Sequence, residues 1–398
     1  MQSAPLDWLI DSDTHITEPP DLWTSRLPRR FHDRAPHVVV DPKLGLEVWK
    51  IGAGQSFLPV GHSAVAGWPE PFPAGPRSYA EVPAAARDAK ARLAYMDSLG
   101  IWACALYPNV GGFGNQDFLK IDDAELRLAC VRAYNDFLLE WCEPDRRRFI
   151  PILATPYWDV AASVREIERG ADLGFQGILF TGEPDKNGFP ILADPHWDPL
   201  WRAAEETGMP LSFHIGSADF TADFSAPRLA HMGLSAANAR AGVCLFIENG
   251  KQIVDLLLSG VLPRHPRLRV VSVESGIGWL PFLLEAVDYA FEQSQVQRQR
   301  PEFEDRPSAY FRRQVYGCYF FEEIAPQRLL EQIGEDNVLF ETDYPHPICL
   351  YGNVREKLDA GLAGRSAALR RKLLFENAAR LYRVPAPDRP AAAGGAAA

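Results

Sequence analysis

The 398-residue sequence is short of paired cysteines, basic blocks and long apolar runs, and each shortage closes off a class of function. Its six cysteines (Cys104, Cys130, Cys142, Cys244, Cys318 and Cys349) are scattered, with no CxxC spacing. That pattern excludes ribbon-type zinc sites and reads as isolated buried thiols in an intracellular protein. No uninterrupted apolar stretch reaches the roughly 18 residues of a membrane span. The segment MQSAPLDWLI has neither a basic start nor a long apolar middle, so no signal peptide and a cytoplasmic location are expected. Lys and Arg number 41 against 52 Asp and Glu, a formal charge of −11. With no basic block to offset it, a nucleic-acid partner is excluded. The one basic run, Arg146 to Arg148 beside Asp145, reads as a solvated loop. No GxGxxG follows the first strand-like run, which weighs against an open dinucleotide-binding sheet.

Apolar material is plentiful, at 47% of residues. Short runs rich in β-branched residues recur: WLIDSD, IWACALYP, FIPILATP, GILFTG, PLSFHIG, LRVVSVESG, VYGCYFF and NVLFETDYP. Between them lie segments such as AELRLACVRAYNDFLLEWC and GWLPFLLEAVDYAFEQ, apolar at every third or fourth residue. Eight strand–helix alternations predict an α/β fold, a closed (β/α)8 TIM barrel forming one domain over residues 1–384. Two connections exceed simple turns, residues 19–84 after the first strand and 216–241 after the fifth. Both leave C-terminal strand ends, so both are expected to cover a substrate. The low-complexity tail, residues 385–398, is expected to be disordered.

Polar residues at strand ends carry the chemistry. IDSDTH sets Asp11, Asp13 and His15 at alternate positions, which share one side of a strand. His214 ends the fifth run, Glu274 the sixth and Asp343 the eighth, with His346 just beyond. A single strand-end histidine is as readily a core residue, and a single aspartate a helix cap. Four strand ends meeting at one barrel mouth point instead to a metal centre suited to Zn, Mn or Fe.

IDSDTHITEP, FHIG, SVESGIGWLPFLLEAVD and LFETDYPHP resemble the amidohydrolase-related family, and the resemblance runs from about Leu9 to Leu381. That family includes metal-dependent hydrolases and the aminocarboxymuconate-semialdehyde and resorcylate-type decarboxylases. The resemblance implies Asp13 and His15 as first-strand ligands, where HxH or ExH is usual, with His214, Asp343 and, as a further candidate, His346. Asp11 is expected behind them as a hydrogen-bond acceptor. The departure is Glu274, which stands where the family carries a proton-handling histidine. This carboxylate-rich set resembles a less common branch of dinuclear non-heme iron monooxygenases. The preferred expectation is therefore two Fe ions and dioxygen hydroxylating a largely apolar small molecule, with Glu274 and Asp343 as catalytic ligands. The alternative is a single Zn or Mn ion in a hydrolase or non-oxidative decarboxylase, with Glu274 as general base. Arg228, His231 and Phe220 are candidate substrate contacts, and a homodimer is expected. Glu18 either reaches back to the site or belongs to a loop entering a helix. The Ala/Arg/Pro/Gly-rich composition hints at secondary metabolism in a high-GC bacterium.

Overall fold

In the barrel strands, side chains alternate between two apolar surroundings, and that alternation builds the protein. In the computed structural model, which describes residues 8–52, 58–217 and 225–388, β1 spans Leu9–His15. Next come β2 (His37–Asp41), β3 (Leu46–Lys50) and β4 (Leu58–Pro59), then β5 (Ile101–Tyr107), β6 (Phe149–Ala154) and β7 (Gly177–Leu179). The last four are β8 (Leu211–His214), β9 (Val270–Val273), β10 (Val315–Tyr319) and β11 (Val338–Phe340). One eight-stranded sheet runs β1-β5-β6-β7-β8-β9-β10-β11, each neighbour parallel. Beyond β11 the chain returns to β1: the His15 N–H donates to the Tyr344 carbonyl at 2.7 Å and the Asp343 N–H to the Asp13 carbonyl at 3.0 Å. The eight runs read from the sequence are these eight strands, and the fold is a TIM barrel.

Ile10, Ala105, Ile152, Leu179, Val271, Val273 and Leu339 fill the barrel interior, above Trp8 and Trp102 packed edge to face. Their strand neighbours Leu9, Phe149, Leu153, Ile178 and Val270 face the surrounding helices instead. This is the period of two expected of strands covered on both sides. The helices start where polar residues can cap them. Asp123 accepts from the Leu126 N–H ahead of Ala124–Trp141, and Asp159 from the Ala162 N–H ahead of Val160–Leu173.

Two features bear on the site. β1 is not regular: Asp11 pairs with Cys104 and Thr14 with Leu106, so three steps on β1 face two on β5. Such a bulge re-aims side chains and is common beside active sites. The first insertion holds the antiparallel sheet β2-β3-β4, turned by Asp41 accepting from the Lys43 and Leu44 N–H groups. Its buried Trp49 meets Trp23 edge-on at 5.4 Å. Further along, the Val65 and Ala66 N–H groups both donate to the Pro345 carbonyl, at 3.0 and 3.1 Å. After β8, the helix Ala226–Leu258 is interrupted at Gly233, whose φ is 72°. Phe220 and residues 389–398 of the tail lie outside the described residues. No helix among the described residues is long and apolar enough to cross a membrane.

Because the buried Trp49 packs on Trp23, whose ring N–H donates to the Cys130 carbonyl of the helix Ala124–Trp141, Trp49→Ala should lower stability by about 3–5 kcal/mol. Denaturant unfolding followed by fluorescence checks this; a loss under about 1 kcal/mol would show that the insertion is held elsewhere.

Candidate metal centre

β1, β8, β9 and β11 bring polar side chains to the same end of the barrel. His15 and His214 are the last residues of their strands; Glu274 lies one residue past β9, and Asp343 three past β11. Asp13, His15, His214 and Asp343 are fully buried, and Glu274 and His346 nearly so. Donor atoms of Asp13, His15, His214 and Glu274 all lie within 4.8 Å of one another, as do those of His15, Glu274, Asp343 and His346.

The ring hydrogens decide what this cluster can hold. His15 Nδ1 lies 3.1 Å from the Pro108 carbonyl and His214 Nδ1 lies 2.8 Å from the Ile215 carbonyl. A carbonyl only accepts, so both Nδ1 atoms carry the hydrogen and each neutral ring presents a bare Nε2. The two Nε2 atoms are 3.2 Å apart. His15 Nε2 is also 3.5 Å from Asp13 Oδ1 and 3.6 Å from Asp343 Oδ1. His214 Nε2 is 3.6 Å from both Asp13 Oδ2 and Glu274 Oε2. All four carboxylate oxygens of Asp13 and Asp343 are buried with no hydrogen-bond partner among the described residues. An unpaired buried carboxylate costs several kcal/mol, so lone pairs converging in this way call for protons or a cation between them. Imidazole nitrogens with hard carboxylate oxygens fit a divalent Mn, Fe or Zn ion.

The backbone is strained where it presents two of these groups. Glu274 has φ 56° and Asp343 φ 59°, a region that side-chain-bearing residues seldom occupy. Each is tied down: the Glu274 N–H donates to Glu341 Oε2 at 3.1 Å, and the Asp343 N–H to Asp13 as above. Asp11 stands outside the donor cluster. It accepts from the Thr342 N–H and hydroxyl, at 2.8 and 2.6 Å, and so braces β1 against the end of β11.

Burial and then the Asp343 charge push the Glu274 carboxyl well above the ordinary range, although His214 opposes them. Asp343 is raised by burial and by Asp13. Burial holds His346 down to about 3, and burial with the two neighbouring imidazoles holds His15 far below normal. His214 differs: burial lowers it, but Asp13 outweighs that and the net shift is upward.

Other residues at the site carried no sequence motif recognised above. Phe113 lies flat on the His214 ring at 4.6 Å and edge-on to His15 at 5.3 Å. Its stretch NVGGFGN gave a signal in hindsight: Gly112 has φ 83°, and a Cβ on Gly114 would meet Ser217 at 2.9 Å. The Tyr107 hydroxyl shares a 2.9 Å hydrogen bond with Ser212. Glu18 reaches the strand ends by bracing that loop, accepting from the Asn109 and Val110 N–H groups at 2.8 and 3.0 Å. Arg228 is half-buried and His231 exposed, and neither joins the donor cluster.

Residues 10–384 match the amidohydrolase family model. The chain belongs to the amidohydrolase family. It is 27% identical over 272 residues to the gamma-resorcylate decarboxylase of Rhizobium radiobacter, covering 64% of this chain and 76% of the relative. To the enzyme of the same name from Rhodococcus jostii it is 28% identical over 285 residues, 66% of this chain and 79% of the relative. Among solved structures, an amidohydrolase from Mycobacterium avium subsp. paratuberculosis matches with a TM-score of 0.75 and 25% identity, over 95% of this chain and all of that one. The 5-carboxyvanillate decarboxylase of Novosphingobium aromaticivorans, solved with manganese and 4-hydroxy-3-methoxy-5-nitrobenzoic acid, gives 0.59 and 25% over 75% and 81%. These findings overturn the expectation of a diiron monooxygenase using dioxygen. The two curated relatives are named as decarboxylases, and the solved 5-carboxyvanillate decarboxylase holds manganese.

Asp343 is held toward its protonated form by burial and by Asp13, so an incoming cation competes with a proton there and manganese affinity should rise with pH. Titration calorimetry in two buffers of different ionisation enthalpy should show net proton release on binding. Affinity independent of pH would contradict the raised carboxyls. Asp13→Asn and Asp343→Asn should each lose most bound metal by elemental analysis.

Proposed function

We propose that this amidohydrolase is a divalent-metal-dependent, non-oxidative decarboxylase of a small hydroxylated aromatic acid. The observation that carries the reading is the buried donor cluster of Asp13, His15, His214 and Asp343, with the Glu274 carboxyl at its edge. The names of the gamma-resorcylate and 5-carboxyvanillate decarboxylases support the substrate class. Decarboxylation replaces a carboxylate on carbon with hydrogen and releases carbon dioxide, so it consumes one proton and needs no oxidant.

Asp13, His15, His214 and Asp343 would hold the ion, with His346 as a further ligand. A bound divalent cation would draw the substrate's carboxylate and an adjacent oxygen into one fixed geometry and offset their charge. Phe113, stacked on His214 and half-exposed, gives an aromatic ring an apolar wall and keeps water from that side of the cluster. Glu274 Oε2, 3.6 Å from His214 Nε2, reaches the space in front of the imidazoles. From that place Glu274 can deliver the proton that the ring carbon takes up as the carboxylate departs. That reverses the base role assigned to it in the alternative reading from sequence.

Glu274→Gln should cut kcat about 10²–10⁴-fold while manganese content stays near that of the parent protein. The assay is anaerobic carbon dioxide release from a panel of ortho-hydroxylated benzoates. Turnover that requires dioxygen, or a Gln variant as active as the parent, would sink the proposal. Phe113→Ala should raise KM far more than it lowers kcat.

A further inference from the structure

His346 is the least obvious member of the donor cluster, since it lies in the loop beyond Asp343 rather than at a strand end. Its orientation is set by Asn109, a buried residue that follows β5 in NVGGFGN. The Asn109 amide cannot be turned around. Its Nδ2 donates to the Ile16 carbonyl at 2.6 Å, which leaves Oδ1 facing His346 Nε2 at 2.8 Å. An amide oxygen only accepts, so the hydrogen on the neutral His346 ring sits on Nε2 and Nδ1 is bare.

That bare Nδ1 lies 2.7 Å from Asp343 Oδ1. Oδ1 has no hydrogen-bond donor among the described residues. Two acceptor atoms at that separation share a proton when no metal is bound and stand as neighbouring ligands when an ion displaces it. Donor–metal bonds of about 2.1 Å at right angles put adjacent ligand atoms roughly 3 Å apart. The ring plane is fixed too, since His346 stacks on the His15 imidazole at 3.8 Å and 26°. Asn109 is anchored in turn, its own N–H donating to the buried Glu18 carboxylate.

We propose that Asn109 is a positioning residue for the metal centre: it accepts from His346 Nε2–H and thereby turns Nδ1 onto the cation beside Asp343. The loop after β11 then grips the ion with a carboxylate and an imidazole. Asp13, His15, His214, Asp343 and His346 complete the grip, and Glu274 is left free of it. The assignment rests on the divalent-cation centre proposed above, not on the reaction assigned to that centre.

Manganese titration of the full-length protein tests it without any substrate. Asn109→Ala should weaken manganese about 10–100-fold, the usual effect of removing a partner that orients a ligand. His346→Ala should do the same, and the double variant should be no weaker than either single one. Asn109→Asp keeps an acceptor toward Nε2, although it sets a carboxylate oxygen against the Ile16 carbonyl, so it should bind manganese more tightly than Asn109→Ala. Pulsed electron paramagnetic resonance of the copper-loaded protein should count three imidazoles in the parent and two in Asn109→Ala. Thermal melts of the metal-free variants identify any that fail to fold. The proposal is overturned if Asn109→Ala binds manganese normally, if the double variant is additive, if Asn109→Asp is as weak as Asn109→Ala, or if the alanine variant keeps three imidazoles. A parent protein that takes up no divalent ion overturns the centre and this assignment together. Manganese binding without turnover counts against the decarboxylase reading alone.

Discussion

The barrel mouth is organised around lone pairs that face one another with nothing of their own to separate them. His15 and His214 each spend their ring hydrogen on a carbonyl, and Asp13 and Asp343 leave four oxygens unpartnered. The nearest buried cation does not relieve this. Arg92 directs its guanidinium hydrogens to the Ala85 and His15 carbonyls and the Thr14 hydroxyl, away from the carboxylates. Whole domains are stable by only about 5–15 kcal/mol, and a pair of uncompensated buried carboxylates consumes a large part of that. Either protons or a metal ion must stand in the gap, and the raised carboxyls show how protons do so when no metal does.

That competition explains why a carboxylate-rich site need not mean iron and dioxygen. Counting Glu274 as one more anionic ligand favoured two metal ions in the reading from sequence. In the fold, burial and the neighbouring Asp343 push the Glu274 carboxyl well above the ordinary range, so with no ion bound it brings less negative charge to the cluster than its residue type suggests. Its left-handed backbone is the cost of aiming a short side chain there, and Glu341 offsets it by accepting the Glu274 N–H.

The barrel was legible because each strand announces itself through β-branched runs, and eight runs leave few other architectures. The principal donors were legible for the same reason: Asp13, His15, His214, Glu274 and Asp343 sit at or just beyond strand ends, where position alone fixes direction. Asn109, Phe113 and Glu341 were not legible. Their roles arise from contacts across the barrel mouth, such as Asn109 meeting His346, and residue type says nothing about such pairings. The β1 bulge was also hidden, since simple alternation treats Asp11, Asp13 and His15 alike while the structure turns Asp11 to Thr342. Arg228 and His231 were chosen on residue type within a long connection, and the fold places neither in the donor cluster.

The first insertion belongs to this same electrostatic problem. Its Val65 and Ala66 N–H groups hold the Pro345 carbonyl, between Asp343 and His346. The insertion therefore helps set the turn that separates two members of the donor cluster. Trp49 against Trp23 anchors its small sheet to the barrel side, so movement of the sheet relative to the barrel would be felt at the Asp343–His346 turn. A loop fastened in this way makes the donor geometry depend on the packing of an insertion whose described residues contribute no donor to the cluster. The strained Asp343 backbone can persist because three contacts pin it: two from β1, through Asp13 and through the brace from Asp11 to Thr342, and one from the insertion through Pro345. Release of any one of them would let φ relax and carry the carboxylate away from the imidazoles it must share an ion with.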